Sequence, residues 1–295
     1  MNLLQLSALC HNKITSIQFL QQKGIMHKIR HCTYNHIMTL SLTDRQDRWR
    51  CRQGTCQQDI PVRQGTWLQG SRLSYRQIVL FIYCWSKELS SIRFCETELE
   101  ISKSSIIDWN HYLREVCANT LINNPIVIGG PNTIVEIDES LFTRRKNFVG
   151  RILPQQWVFG GICRETGECF MFTVQDRTAA TLLPIISTHI LPGTTIMSDQ
   201  WRAYNGIVGI TGGGFNHQTV NHSLNFVDPK TGANTQRIER SWKAAKERNK
   251  RQNGTHRSML DSYMCEYMWR TRTKVQQLDV FDAILADIVL FWPPA

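Results

Sequence analysis

The sequence lacks the features that mark membrane and secreted proteins. No apolar run is long enough to cross a membrane, and the apolar segment Ala283–Trp292 is short and contains Asp287. The first residues, Met1–Cys10, lack the basic start and the full apolar core of a signal peptide. There is also no internal repeat and no low-complexity tract. We therefore expect a soluble intracellular protein.

Cysteines are too few for one class of protein, the secreted disulfide scaffolds, and acidic residues are fewer than basic ones. Ten cysteines in 295 residues are too sparse for a secreted disulfide scaffold, so they are interpreted as reduced thiols, some of them zinc ligands. Against 24 acidic residues stand 34 lysines and arginines, which gives a net charge of +10. This surplus favours an anionic partner such as nucleic acid, with a merely basic enzyme as the alternative.

Residues 31–70 contain two short turns with possible metal ligands. The first turn offers Cys32 and His36, and the second offers Cys51 and Cys56, one residue wider than the usual pair. Three cysteines and one histidine suit tetrahedral zinc, which replaces a core too small to fold alone. Two interpretations stay open: one structural Zn²⁺, or a degenerate zinc ribbon held by packing.

The chain opens with one predicted N-terminal helix (1–30). Beyond the two turns, residues 71–120 carry three further helical patterns. These cover Ser74–Leu89, Ser90–Leu99 and Ser102–Cys117. Short helices joined by tight turns are typical of a helix-turn-helix, and the third would be the base-reading helix, with Lys103 at its start. A helical bundle without DNA contact is the alternative.

Residues 130–275 read as strand, strand, strand, helix, strand, helix, and 276–295 as a packing helix. Asp138 follows the apolar run Thr133–Ile137, and Asp199 follows Thr194–Ser198. We expect both aspartates near the centre of one mixed sheet.

The helix predicted over Gln236–Arg251 carries a third carboxylate, Glu239. Taken alone, this segment favours a solvated helix face, with Lys243 and Lys246 pairing with the glutamate. Three converging carboxylates raise one another's pKa unless a cation binds them. Two magnesium ions about 4 Å apart would suit phosphoryl transfer.

Four motifs in order give a specific resemblance. They are VEIDES (135–140) followed by Arg144, Arg145 and Lys146; SDQWRAY (198–204); the stretch 220–246; and YMCEYMWRTR (263–272). Together they resemble Merlin-type DNA transposases, the eukaryotic relatives of bacterial ISXO-type insertion-sequence transposases. The likeness runs from about Phe19 to Thr273.

This resemblance implies a fold and a chemistry. The fold is α/β, a ribonuclease-H-like mixed-sheet catalytic domain preceded by a degenerate zinc ribbon and a helix-turn-helix-like DNA-binding region. Asp138, Asp199 and Glu239 would be catalytic and hold two Mg²⁺ or Mn²⁺ ions. The 39 residues between Asp199 and Glu239 are near the family's usual interval. Some bacterial relatives are thought to use an asparagine as third ligand, here Asn234, but an anionic oxygen binds magnesium more strongly. His222 would orient the substrate or, as the equal alternative, be a structural histidine of the core or of a hairpin.

The expected partner is double-stranded DNA, both transposon terminal inverted repeats and target, bound by a homodimer or larger assembly. The expected DNA-binding residues are Lys246, Lys243, Arg144, Arg145, Lys146 and Lys103. The compartment would be the nucleus in a eukaryote or the nucleoid-containing cytoplasm in a bacterium. One alternative is a domesticated or decayed transposase that binds DNA without cutting. Another is a ribonuclease-H-like nuclease for RNA hybrids, which the helical N-terminal region disfavours.

Overall fold

The computed structural model describes residues 1–43, 46–142, 156–251 and 257–295. Its helices and strands, in chain order, are α1 Leu3–Leu9, α2 Lys13–Gln22, β1 Thr39–Leu42, β2 Asp47–Arg50, β3 Asp59–Pro61, α3 Tyr75–Ser86, α4 Ile92–Leu99, α5 Lys103–Asn123, β4 Ile128–Gly129, β5 Ile134–Leu141, β6 Trp157–Cys163, β7 Cys169–Val174, α6 Ala179–His189, β8 Ile190–Leu191, β9 Thr195–Asp199, β10 Asn216–Val220, α7 Gln236–Arg251, α8 Leu260–Val275 and α9 Val280–Phe291. Within these ranges no helix is both long and apolar enough to span a membrane.

The chain divides into two compact units. The first unit comprises Met1–Asn119 with Leu278–Ala295, and the second comprises Thr120–Gln277. The C-terminal helix therefore packs within the first unit, where Phe281 stacks on Phe19 with ring centroids 6.1 Å apart. Helix α9 begins at Val280, four residues into the predicted segment 276–295, because Gln277 adopts a left-handed φ of 57° just after α8.

The first unit opens with two helices where the sequence pattern predicted one. That prediction was wrong because Asn12 starts a new helix. The Asn12 side chain accepts a hydrogen bond from the Thr15 amide at 2.9 Å, and the Thr15 hydroxyl accepts one from the Asn12 amide. This reciprocal capping box fixes the N-terminus of α2 and ends the helical path of α1.

The three helices predicted in the 71–120 region are confirmed as elements. Ser74 caps α3 as expected, since its hydroxyl accepts from the Gln77 amide at 3.2 Å. Helix α3 is buried on almost every side, and α4 ends at Glu100 in the left-handed conformation. Helix α5 extends to Asn123, six residues beyond the predicted end. The helix-turn-helix assignment of these helices stays a prediction.

The second unit is built on a mixed sheet, as predicted, but the sheet has five strands where the sequence predicted four. Its order is β10-β9-β5-β6-β7. Strands β9 and β10 run parallel to the central β5, whereas β6 and β7 form the antiparallel hairpin. Gly167, with φ of 79°, lies in the turn of this hairpin. The edge strand β10 was missed, because its sequence NHQTV is mostly polar and shows no buried apolar run.

Helix α7 is joined to β5 by a fully buried carboxylate, Glu136. One oxygen of Glu136 accepts hydrogen bonds from the amides of Arg237 and Ile238 at 2.7 and 3.1 Å. The other accepts from Arg164 Nε at 2.6 Å. A negative charge at a helix N-terminus is favourable, and the arginine compensates the burial of that charge. Glu136 therefore fixes where α7 starts across the sheet.

Replacing Glu136 with alanine should destabilise the second unit by about 3–5 kcal/mol, because it leaves the charge of Arg164 and two helix amides without their acceptor. Chemical denaturation followed by circular dichroism measures the loss. Glu136→Gln is the graded control, since it keeps an oxygen for the amides and removes only the charge. A loss below about 1 kcal/mol for Glu136→Ala would contradict this role.

Candidate active site

The two aspartates predicted as catalytic lie on neighbouring parallel strands at the same level. Glu136 of β5 is paired with Met197 of β9. Two residues further along each strand, this register brings Asp138 level with Asp199. Because side chains two apart on a strand point to one face, both carboxylates share the face of Glu136.

Helix α7 lies along this face and is held at three points. Its residues Arg237, Trp242 and Lys246 are bonded to Glu136, Asp138 and Ser140, respectively. Residues 237 to 246 span about 13.5 Å of helix at 1.5 Å per residue. The four steps from residue 136 to residue 140 span about the same length of strand. Helix and strand therefore run side by side in matched register, and Glu139 of β5 points to the opposite face.

Asp138 is a partly buried carboxylate surrounded by other acids. Burial raises the pKa of Asp138 to about 7, and the charges of Asp199 and Glu239 act in the same direction. The Trp242 indole N–H opposes this by donating to Asp138 Oδ2 at 3.0 Å. Gly160 lies opposite Asp138 on β6, and a Cβ there would be 2.8 Å from the Trp242 ring. The missing side chain therefore gives the indole room to reach the carboxylate.

Glu239 stands one turn into α7 and is about half-exposed. Its Oε1 accepts a hydrogen bond from the Thr235 hydroxyl at 3.1 Å. His222 lies against the same hydroxyl at 2.8 Å and comes within 3.8 Å of the Glu239 carboxylate. The sequence left two roles open for His222, orienting substrate or a structural role in the hairpin. In the structure, His222 contacts Thr235 and so supports the residues around Glu239. Asn234 uses its backbone carbonyl to accept from Arg164.

The three carboxylates face the same region without forming one tight cluster. Over the described residues, the acidic triad is not among the groups whose ligand atoms all lie within 4.8 Å of one another. After burial itself, the charges of Asp199 and Glu239 both raise the pKa of Asp138.

A fourth acidic residue of this region, Glu139, was missed by sequence reasoning. Burial, followed by the charge of Asp138, raises the pKa of Glu139 to about 7. Burial and the same carboxylates raise the pKa of the nearby Tyr204 well above its ordinary range. The Tyr204 hydroxyl and the Glu139 carboxylate act on each other's pKa, which is lowered for Glu139 and raised for Tyr204 by this contact. The only signal in the sequence was its position directly after Asp138.

The predicted DNA-binding residues fall in different places. Lys246 donates to the Ser140 hydroxyl at 2.6 Å and lies over the Phe142 ring. Lys243 is exposed on α7, and Lys103 is exposed at the start of α5. The remaining three, Arg144, Arg145 and Lys146, lie outside the described residues.

The predicted zinc ligands come together in the first unit. Ligand atoms of Cys32, His36, Cys51 and Cys56 all lie within 4.8 Å of one another. His36 Nδ1 is 3.4 Å from Cys32 Sγ and 3.7 Å from Cys51 Sγ. These separations agree with roughly 3.5 Å between ligands of tetrahedral zinc at bond lengths near 2.0–2.3 Å.

Local backbone conformation shapes this cluster. Asn35 adopts a left-handed φ of 62°, which turns the chain so that the His36 amide donates to Cys32 Sγ at 3.3 Å. Burial opposes ionisation of Cys32, but hydrogen bonds from His36, Tyr34 and the neighbouring thiols lower its pKa to about 7. A thiolate at neutral pH is the form that binds metal. The sheet β1-β2-β3 carries Cys51 at the end of β2 and positions the second turn.

Comparison with known proteins agrees with these motifs. A family model described as the ISXO2-like transposase domain matches residues 132–271. An uncharacterized transposase-like protein of Haemophilus influenzae is 30% identical over 105 residues, covering 35% of this chain and 81% of that protein. The chain belongs to the ISXO2-like transposase family.

Other similarities of this ISXO2-like transposase family member are weaker. The male abnormal protein mab-31 of Caenorhabditis elegans is 24% identical over 147 residues, which cover 44% of this chain and 34% of that protein. A simian T-cell lymphotropic virus intasome has a TM-score of 0.32 at 16% identity, covering 48% of this chain and 50% of that chain. The HTLV-2 integrase catalytic core domain gives 0.31 at 14% identity, covering 47% and 84%. Such low scores leave the fold to be judged from its own strand order.

For this ISXO2-like transposase we expect Trp242→Phe to impair any activity that needs ionised Asp138. Losing the indole N–H raises the pKa of Asp138 further above about 7, so more of the carboxyl is protonated at neutral pH. Changes to outer-shell partners typically cost roughly 10–100-fold. The rate of such an activity should fall by that factor at neutral pH and recover partly toward about pH 8.5.

The control for this prediction is Trp269→Phe, the same change at a buried tryptophan of α8 in the same unit. It should leave the pH–rate profile in place. An unshifted profile for Trp242→Phe would show that the hydrogen bond to Asp138 has no part in the activity.

Proposed function

We propose that this chain is a DNA transposase that cleaves phosphodiester bonds at transposon ends and joins the freed end to target DNA. The single observation that carries the proposal is the strand register that sets Asp138 level with Asp199, with α7 bringing Glu239 to the same face. A central β5 flanked by a parallel pair and an antiparallel hairpin supports a ribonuclease-H-like catalytic domain.

The donor set suits a divalent cation such as Mg²⁺ or Mn²⁺. All three side chains offer hard oxygen ligands, which magnesium prefers. In the described part of the chain, no lysine or arginine forms an ion pair with Asp138, Asp199 or Glu239. Burial, and after it the charges of Asp199 and Glu239, raise the pKa of Asp138, and bound cations would favour its ionised form.

Each residue would have a defined role. When bound, two cations would supply an activated attacking oxygen and stabilise the leaving oxygen. Asp138 would be the shared ligand, with Asp199 and Glu239 completing the two sites. Thr235 holds the Glu239 carboxylate by a hydrogen bond, and Trp242 orients that of Asp138. Lys246, fixed near Ser140, would contact a phosphate beside the bond that is cut.

The first unit would supply DNA binding. Cys32, His36, Cys51 and Cys56 would hold one structural Zn²⁺, supported by their mutual proximity. Helix α5, with exposed Lys103 at its start, would read the major groove. Pairing two transposon ends would require at least a dimer.

A cleavage assay tests this proposal. The DNA is a plasmid carrying the inverted repeats found in the genomic flanks of the coding sequence. With Mg²⁺, purified protein should nick at the repeat ends, and a chelator should stop it. Tight binding to the repeats that persists in the chelator, without cleavage under any divalent cation, would instead favour the DNA-binding alternative.

A further inference from the structure

A polar cleft lies beside the first turn of α7. Its volume is about 370 Å³, and its lining residues are Glu136, Arg164, Asn234, Gln236, Arg237 and Arg240. Three of these six side chains are arginines and one is an acid, so the lining is positively charged. None of them except Asn234, weighed as a third ligand, was singled out in the sequence.

The one acid in the cleft does not repel an anion strongly. Glu136 is fully buried, and its oxygens already accept from Arg164 Nε and from two backbone amides of α7. Its charge is therefore balanced within the protein. Two further guanidinium groups, those of Arg237 and Arg240, are left to set the sign of the cleft.

Two of the arginines are held in place before any ligand arrives. Arg164 donates to Glu136 and, through Nη2, to the Asn234 carbonyl at 3.0 Å. Arg237 Nη1 donates to the Arg164 carbonyl. A guanidinium has five N–H donors, so each of these arginines keeps donors for another acceptor. Fixed planar groups of this kind match the geometry of phosphate oxygens.

The third arginine has no role in the fold. Arg240 is exposed, and among the described residues it makes neither a hydrogen bond nor an ion pair. It lies three residues after Arg237, so the two project from the same side of α7. An exposed arginine beside two fixed ones has its donors available to a ligand.

The cleft also stands at a defined distance from the acidic site. Glu136 precedes Asp138 by two residues, or about 7 Å of strand. Lys246 is bonded to Ser140, two residues beyond Asp138 on the other side. Positive groups thus flank the carboxylates at both ends along β5. Phosphates follow one another at about 3.4 Å along the axis of a DNA strand, so about 7 Å corresponds to two nucleotides along that axis.

We propose that Arg164, Arg237 and Arg240 form a binding site for a backbone phosphate of the DNA strand, one or two nucleotides from the phosphate that is attacked. This rests on the proposed transposase function and adds to it the group that would set the position of the strand. The ligand is the phosphodiester group and not the base, so the site binds without regard to sequence.

Salt-dependent DNA binding tests this site. The probe is a fluorescein-labelled mixed-sequence duplex of about 30 bp, titrated in a chelator so that no cleavage occurs. Arg240→Gln should weaken binding several-fold and reduce the slope of log K against log salt by about 1. The double variant Arg237→Gln/Arg240→Gln should reduce it by about 2. Lys274→Gln, which removes one exposed charge from α8, is the matched control and should leave the slope unchanged.

The result that would overturn the site is an unchanged affinity and slope in Arg240→Gln and in the double variant. Both changes are at exposed side chains, and an unaltered thermal transition would verify that the variants fold. Arg240→Lys should restore the slope but not the full affinity, because lysine offers no planar fork. Failure of the transposase proposal looks different: no cleavage by the wild-type protein with Mg²⁺, whatever the slopes are.

Discussion

Asp138→Asn should abolish magnesium-dependent DNA cleavage. Asp138 is the carboxylate that both cations would share, so its loss removes a ligand from each. Replacing a residue that only contacts a metal ligand typically lowers activity by roughly 10–100-fold. For a ligand itself we therefore expect at least about a 100-fold fall in the cleavage rate. Asparagine has nearly the same shape and keeps an oxygen for the Trp242 indole, so the fold and DNA binding should remain. The measurement is the nicking rate on repeat-bearing plasmid, with binding measured in parallel.

The stability of this variant gives an independent readout. Burial raises the pKa of Asp138 from 3.8 to about 7, so ionisation disfavours the metal-free fold. That penalty grows as the pH rises from about 4 to 7 and is complete above 7. Asp138→Asn should therefore unfold at a higher temperature than wild type near pH 8, and the difference should vanish near pH 4.

The control is Asp261→Asn on α8, where the amide oxygen can still accept from the Thr173 hydroxyl. That variant should cleave like wild type. Full cleavage by Asp138→Asn would exclude this metal site.

Removing the metal from the cysteine cluster should unfold the sheet β1-β2-β3. Protein made with zinc should contain about one ion per chain, bound by Cys32, His36, Cys51 and Cys56. Small zinc modules lack a core sufficient to fold alone, and apparent binding energies of about 10–16 kcal/mol are part of their folding energy. Cys51→Ser should therefore lose the ion and show a lower thermal transition for the first unit.

The matched control is Cys95→Ser, at a buried cysteine of α4 away from the cluster. It should keep its zinc as measured by elemental analysis. Zinc retained by Cys51→Ser, or wild-type protein that folds fully without metal, would favour the ribbon held by packing.

Local pattern predicted much of the second unit. Helix α7 spans the predicted residues 236–251, because apolar positions Ile238, Trp242 and Ala245 recur at helical spacing between charges. Strands β5 and β9 follow from apolar runs that end at an aspartate. Strand β10 escaped prediction because its polar residues pair with β9, which is distant in sequence. The break at Asn12 escaped prediction because the capping box with Thr15 is formed by polar side chains and leaves no mark on the apolar pattern.

The candidate site also contains both residues that the sequence predicted and residues that it did not. Asp138, Asp199 and Glu239 were chosen from strand ends, helix pattern and family resemblance. Glu136 alternates along β5 like any solvent-facing glutamate, and only the docking of α7 buries it against Arg164. The roles of Gly160 and of the arginine cleft likewise depend on which strand and helix become neighbours, and the register that decides this is a tertiary property.

The most direct test of the acidic site is anomalous scattering from Mn²⁺ in crystals of the protein with DNA. The account predicts two peaks about 4 Å apart, both bonded to the Asp138 carboxylate. Asp199 should bind one of them and Glu239 the other. No manganese at Asp138, or manganese bound only elsewhere on the protein, would contradict it.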